Sequence, residues 1–203
     1  MSALGAWLRD PEEIYRRSFA IIHAETPLDG LPPALAEVAV RIVHACGMTD
    51  VVTDLAHAGD PAVAACRALA KGAPILTDSR MTADGIIRSR LSGENAVICT
   101  LDEAEAQGTT RSAAAVDLWG TRLDNAVVAI GNAPTALFRL LELLADGAPR
   151  PATILAFPVG FVGAVESKEA LIAHTDVPYL TLRGRRGGSA MAAAAVNAVA
   201  GLP

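Results

Sequence analysis

Aromatic side chains are scarce in this chain. Phe, Trp and Tyr make up 4% of 203 residues, against 52% hydrophobic residues in all, so the interior must be built mainly from Ala, Val, Leu and Ile. Cysteine is scarce too. Cys46, Cys66 and Cys99 stand singly in apolar settings without a Cys-x-x-Cys pair. That spacing argues against a disulfide framework or a zinc site and predicts reduced, buried thiols in a cytoplasmic protein. No apolar run approaches the length that spans a bilayer. The stretch Met1–Glu13 lacks a basic region followed by an apolar core, so neither a membrane segment nor a secretory leader is expected. Excess positive charge is also lacking: 17 basic residues face 22 acidic ones, for a net charge of -5. This removes any global electrostatic case for nucleic acid or an anionic membrane as partner. No repeat, linker or low-complexity tract divides the sequence, and its length suits a single domain over 1–203.

What is present is alternation. Short β-branched runs at Val51–Leu55, Pro74–Asp78, Ala96–Leu101, Ala126–Gly131, Thr153–Phe157 and Tyr179–Arg183 read as strands. Helical patterns lie at Pro11–Ala24, Pro33–Cys46, Pro61–Lys71, Ala83–Leu91, Arg111–Thr121, Pro134–Ala145, Ser167–His174 and Ser189–Val199. Such alternation predicts right-handed crossovers between parallel strands, hence an α/β protein with three layers, α/β/α, and a mostly parallel central sheet. A mean hydropathy of +0.35 is high and points to apolar surface buried between subunits.

In sheets of this kind ligands bind beyond the carboxyl ends of the strands. The residues there are small, polar and basic: Thr77, Asp78, Ser79 and Arg80; Gly131, Asn132 and Thr135; and the run from Arg183 through Arg185 and Arg186 to Ser189. The last of these suits a phosphate or carboxylate, but it lacks the Gly-x-Gly-x-x-Gly and Walker spacings of nucleotide sites. Asn132 is placed to cap the helix from Pro134. Arg111 opens a helix against its dipole, which suggests an anion beyond the chain or a partner carboxylate. Arg16 and Arg17 are adjacent on the first helix, so they point different ways. His44 falls in the last turn of an apolar helix, where unpaired carbonyls favour the imidazolium and a role as proton donor near neutral pH. His23, His57 and His174 have no neighbours at metal-ligand spacing. Glu166 and Lys168 receive no role. Several arginines, one histidine and no nucleophile–base pair suggest a polycarboxylate ligand and simple acid chemistry.

Six segments, in order, carry a more specific signal: Arg41–Asp50 (RIVHACGMTD), Leu76–Ile86 (LTDSRMTADGI), Thr110–Ala115 (TRSAAA), Gly131–Phe138 (GNAPTALF), Phe157–Glu169 (FPVGFVGAVESKE) and Arg183–Ala190 (RGRRGGSA). Together they resemble the precorrin-8X methylmutase family over nearly the whole chain. The resemblance implies an isomerase of cobalamin biosynthesis that needs no metal, nucleotide or methyl donor. It would move a methyl group from carbon 11 to carbon 12 on ring C of the tetrapyrrole precorrin-8X, a [1,5]-sigmatropic shift giving hydrogenobyrinate. It also implies a homodimer with its site near the interface and the catalytic role for His44. Substrate contacts are expected first from Arg111, then from Arg16, Arg17, Ser18, Thr77, Asp78, Met81, Gly131, Asn132, Thr135, Arg183, Arg185 and Arg186. A non-catalytic tetrapyrrole carrier would use the same arginines without an acid, and a nucleotide-binding enzyme would use the Arg183–Ser189 loop. Whether the substrate is metal-free or carries cobalt stays open at this point.

Overall fold

Strands buried on both faces dictate the layering. The computed structural model describes residues 7–91 and 93–202, so part of the Met1–Glu13 stretch lies outside the described residues. It has six strands, β1 (Leu55–Ala58), β2 (Ile75–Thr77), β3 (Val97–Cys99), β4 (Val127–Ile130), β5 (Thr153–Ala156) and β6 (Tyr179–Leu182), in one sheet ordered β1-β6-β5-β4-β2-β3. All neighbours are parallel except β1, which pairs antiparallel with β6 at the edge. Because side chains alternate along a strand, Val127 and Ala129 of β4 face one core, while Val128 and Ile130 face the other.

The first core is closed by α1 (Pro11–Glu25), α2 (Pro33–Cys46), α3 (Pro61–Ala70), the short α4 (Arg80–Asp84) and α8 (Ser189–Val199). The second is closed by α5 (Arg111–Asp117), α6 (Pro134–Ala145) and α7 (Ala164–His174). The three layers and mostly parallel sheet are those read from the sequence. Alanine dominates α8, with Ala192, Ala193, Ala195 and Ala198 buried, and these small side chains let it lie close along α2.

Three local expectations fail. The run expected as a strand at Val51–Leu55 is mostly a 3-10 helix, Thr49–Asp54, and β1 starts only at Leu55. Val51 and Val52 are both buried, which strand alternation does not allow on a one-sided edge, and Thr53 donates its hydroxyl to the Asp50 carbonyl at 2.8 Å. The helix expected at Ala83–Leu91 is instead α4 and a 3-10 turn at Arg88–Arg90. Asn197 of α8 causes the break: its amide donates to Gly85 O at 2.9 Å and its carbonyl accepts from Ile87 N–H at 2.8 Å. Finally, α5 stops at Asp117, with a separate 3-10 turn at Gly120–Leu123. The three cysteines are free and half-buried rather than buried. Among the described residues no helix is long and apolar enough to cross a membrane.

Candidate active site

Gly47, at φ 70°, turns the chain out of α2, and its N–H closes on Val43 O. His44 is therefore held in the final turn, exposed at the rim of the domain. α1 packs beside it. Ser18 Oγ lies 3.2 Å from His44 Nδ1, and the Phe19 ring stacks on the imidazole with centroids 4.8 Å apart and planes at 27°. The Arg41 guanidinium sits 4.5 Å from the Phe19 centroid and 5.4 Å from that of Tyr15. His44, Tyr15, Arg41, Ile87, Arg90 and Asn197 are among the residues that line a cavity of about 350 Å³ against the α8 alanines. An adjoining space of about 320 Å³ shares Arg41, Arg90 and Asn197. Among the described residues neither Arg41 nor Arg90 forms an ion pair, and Glu37 is the one carboxylate that lines the adjoining space with them.

Most of the other sequence candidates are committed elsewhere. Arg16 and Arg17 both bind Glu13, at 2.7 Å and 2.5 Å, and hold its carboxyl down at about 2. Ser18 is at His44, not apart from it. Arg111 is exposed and makes no ion pair among the described residues, but it opens α5 on the opposite face of the sheet from α2 and does not line the His44 cavity. Thr135 shares a 2.7 Å hydrogen bond with Thr110, tying the starts of α5 and α6 together. Met81 is 74% exposed.

Thr77 and Asp78 are buried. The Thr77 hydroxyl donates to Ile98 O at 3.1 Å. The two oxygens of Asp78 accept the N–H groups of Gly131 (2.9 Å), Asn132 (2.9 Å) and Ala133 (2.7 Å). Burial pushes this carboxyl up from its ordinary value against the pull of those three amides. The cap expected of Asn132 is not made: α6 starts at Pro134 without a side-chain cap, and Asp78, from the end of β2, instead holds the turn before the helix through its three amides. The backbone donors of Gly131 and Asn132 are spent on it. Gly131 has a packing reason of its own, since a Cβ there would come 2.6 Å from Ser189 Cα and 2.9 Å from Ala192 Cβ.

The loop between β6 and α8 is fastened from several sides. Gly187 admits no Cβ, which would overlap the Phe157 and Pro158 carbonyls, and Gly188 N–H donates to Phe157 O at 2.8 Å. Arg186 reaches back to Asp50 (2.7 Å) and Asp54 (2.6 Å) in the turn that follows α2. Arg183 pairs with Glu169 at 2.6 Å. Arg185 lies over Phe161, 5.3 Å from the ring centroid, in a loop where Phe161 and Val162 are 84% and 89% exposed. Lys168 is wholly buried in α7, and its ammonium donates to Arg186 O at 2.8 Å. Sequence reasoning missed Arg41, Arg90 and Lys168. Arg41 sits three residues before His44, one turn away on the same helix, and that spacing was a usable signal.

Among the described residues no group of His, Cys, Asp and Glu could hold a metal ion. An exposed histidine oriented by a hydroxyl, beside two arginines that form no ion pair, suits proton transfer to an anionic ligand.

Comparison with known proteins gives the family. The family model for precorrin-8X methylmutase matches residues 13–202. A Pseudomonas aeruginosa protein named precorrin-8X methylmutase is 58% identical over 96% of this chain and 97% of its own. One from Sinorhizobium sp with the same name is 53% identical over 96% of each. A Salmonella typhimurium protein named cobalt-precorrin-8 methylmutase is 37% identical over 95% of this chain and 96% of its own. The solved precorrin-8X methylmutase of Thermus thermophilus superposes with a TM-score of 0.86 at 37% identity, covering 93% of this chain and 94% of that one.

Proposed function

The chain belongs to the precorrin-8X methylmutase family, isomerases of cobalamin biosynthesis, and we propose that His44 is the acid that drives its methyl shift. The observation that carries this reading is the contact between Ser18 and His44 Nδ1. With Nδ1 engaged, Nε2 is the nitrogen left to exchange a proton. The imidazolium gives its Nε2 proton to a ring-C nitrogen of the macrocycle and keeps the Nδ1 proton on Ser18. Protonation draws electron density from the conjugated system and lowers the barrier for the methyl to pass from carbon 11 to carbon 12. The proton then returns, and no atom is gained or lost overall.

Precorrin-8X carries acetate and propionate arms, and Arg41 and Arg90 are placed to bind such carboxylates beside His44. Arg111, at the start of α5, and Arg185, in the β6–α8 loop, lie at the carboxyl edge of the sheet outside this cavity and are further candidates for the more distant carboxylates. Two groups of relatives bear on the metal. Those named for precorrin-8X are 58% and 53% identical, whereas that named for cobalt-precorrin-8 is 37% identical. This favours a metal-free substrate. A homodimer also fits: Ile14, Tyr15 and Ile21 of α1, the helix that packs beside His44, are 44%, 43% and 55% exposed, and a second copy laid on that helix would cover them. We assign the protein to the cytoplasm, where free thiols such as these persist.

The test is a visible absorption time course with precorrin-8X, wild type beside His44→Ala. Moving the methyl off carbon 11 extends conjugation and shifts absorption to longer wavelength. His44→Ala should turn over about 10²–10⁴-fold more slowly while still binding the tetrapyrrole. Equal shifts in both proteins would remove His44 from the mechanism. A bound, unchanged spectrum in both would favour a carrier.

A further inference from the structure

Among the described residues two charged side chains have no exposed surface, Asp78 and Lys168. Asp78 is explained by its three amides. Lys168 is not explained by stability. Its ammonium has one hydrogen-bond acceptor, Arg186 O, and contacts no carboxylate. An apolar side chain of similar length would avoid the desolvation of a charge. The cost shows in its acidity, since burial lowers Lys168 to about 8 although Asp54 and Glu169 favour its charge. A position that keeps a lysine under these conditions is using it to hold something.

What it holds leads to His44. The carbonyl that Lys168 binds belongs to Arg186, whose guanidinium spans Asp50 and Asp54. Arg183 N–H adds a backbone bond to Asp54 O at 2.8 Å. Asp50 and Asp54 lie in the 3-10 turn that begins two residues after Gly47, where α2 ends. We propose that Lys168 is a positioning residue for His44: from α7 it fixes the β6–α8 loop, and through Arg186, Asp50 and Asp54 it fixes the end of α2. The same loop launches α8, whose Ala190, Ala193 and Ala194 form the opposite wall of the His44 cavity. One latch thus sets both sides of the groove. The ion pairs of Arg186 are half exposed and worth little unless its backbone is held still. Lys168 supplies that restraint from within the core. Its charged neighbours are Asp54, Glu169, Arg183 and Arg186, and none of them displaces it from the carbonyl.

The inference rests on the reading of His44 as the acid, so His44→Ala is measured in the same series. Lys168→Met and Asp54→Asn cut the latch at its two ends. Each should lower kcat for precorrin-8X about ten- to hundredfold, the scale of an ångström-level misplacement. The Kd for hydrogenobyrinate should stay within about threefold, because Arg41 and Arg90, the two arginines lining the His44 cavity, are not substituted. The NMR signal of labelled His44 should shift in both variants. The double variant should be no slower than the slower single one, since both break one connection. A Lys168→Met enzyme with kcat within about twofold of wild type and an unmoved His44 signal overturns the latch, as do kcat and Kd worsening together or effects that add. Should Lys168→Met fail to fold, Asp54→Asn, on the surface, decides by the same criteria. An active His44→Ala enzyme defeats the acid assignment itself; an inactive one beside a fully active Lys168→Met defeats only the latch.

Discussion

The turn from β4 into α6 and the loop from β6 into α8 look alike in sequence: each is a glycine-bearing, polar connection at the carboxyl edge of the sheet, suited to an anion. They are built with opposite polarity. At Gly131–Ala133 a buried carboxylate, Asp78, takes three backbone N–H groups. At Arg183–Gly188 a buried ammonium, Lys168, takes one carbonyl, while the arginine heads go outward to Glu169, Phe161, Asp50 and Asp54. In the first turn the chain supplies its own anion, so the cradle is closed to a ligand. In the second the inward charge is a tether, and the outward charges remain at the surface. A glycine-rich turn in this fold class is an anion site only when nothing inside the protein has already filled it.

The largest effect should come from removing the internal anion. Asp78→Ala leaves the buried Gly131 amide and the part-buried Asn132 and Ala133 amides without their partner, at a cost of about 2–4 kcal/mol. Urea unfolding measures it directly. A loss under about 1 kcal/mol would mean that water or a neighbour satisfies those amides equally well and that the cradle is not committed.

Gly131→Ala probes the same turn by volume. The new methyl meets the Ser189 backbone at 2.6 Å and Thr82 Oγ1 at 2.8 Å, so α8 must move or the strand end must distort. Overpacking of this kind costs about 1–3 kcal/mol. Since α8 also walls the His44 cavity, kcat should fall alongside the melting temperature. A stable variant with unchanged turnover would show that the end of β4 and the start of α8 move apart freely.

Lys168→Met should differ from Asp78→Ala most clearly in stability. Losing one hydrogen bond is offset by losing a buried charge, so the net change at pH 7 should be within about 1 kcal/mol. The pH dependence has a definite sign. In the unfolded chain this lysine keeps its proton up to 10.5, and in the folded chain only to about 8. Between those values the unfolded state binds more protons, so wild-type stability should rise with pH relative to Lys168→Met. Denaturation midpoints at pH 7, 8, 9 and 10 measure this, and a constant difference would mean the ammonium is not desolvated.

Much of this was legible in the sequence. α2, α6 and α8 follow their apolar period and their terminal Pro, Gly or Ser so closely that their bounds agree with the structure. The buried strands β4, β5 and β6 were found because a run of Val, Ile and Leu between turn residues has few other uses. Failures came where a distant residue decided. Nothing near Gly85 announces that Asn197 will break the helix there, and nothing near Asn132 announces that Asp78 will fill the turn before α6 and leave the helix without a side-chain cap. The place of His44 in the last turn of α2 was legible from the apolar period and Gly47. Lys168 was not, because a lysine among Glu166, Ser167 and Glu169 reads as solvated surface, and only tertiary packing buries it.

The smallest effect belongs to Arg183, and it sharpens what separates a structural arginine from a ligand-binding one. Its pair with Glu169 is half exposed on both sides, so Arg183→Ala should cost under about 1 kcal/mol and the difference should shrink as salt is added. Tetrapyrrole affinity asks a separate question. If Arg183 stays on Glu169, the substitution leaves the Kd for hydrogenobyrinate unchanged. If it leaves Glu169 for a substrate carboxylate, Arg183→Ala weakens binding, and Glu169→Gln, which releases the arginine, tightens it. Opposite shifts in the two variants would place this end of the β6–α8 loop in the binding site. No shift in either would confine its role to holding the loop against α7, the work Lys168 does from the inside.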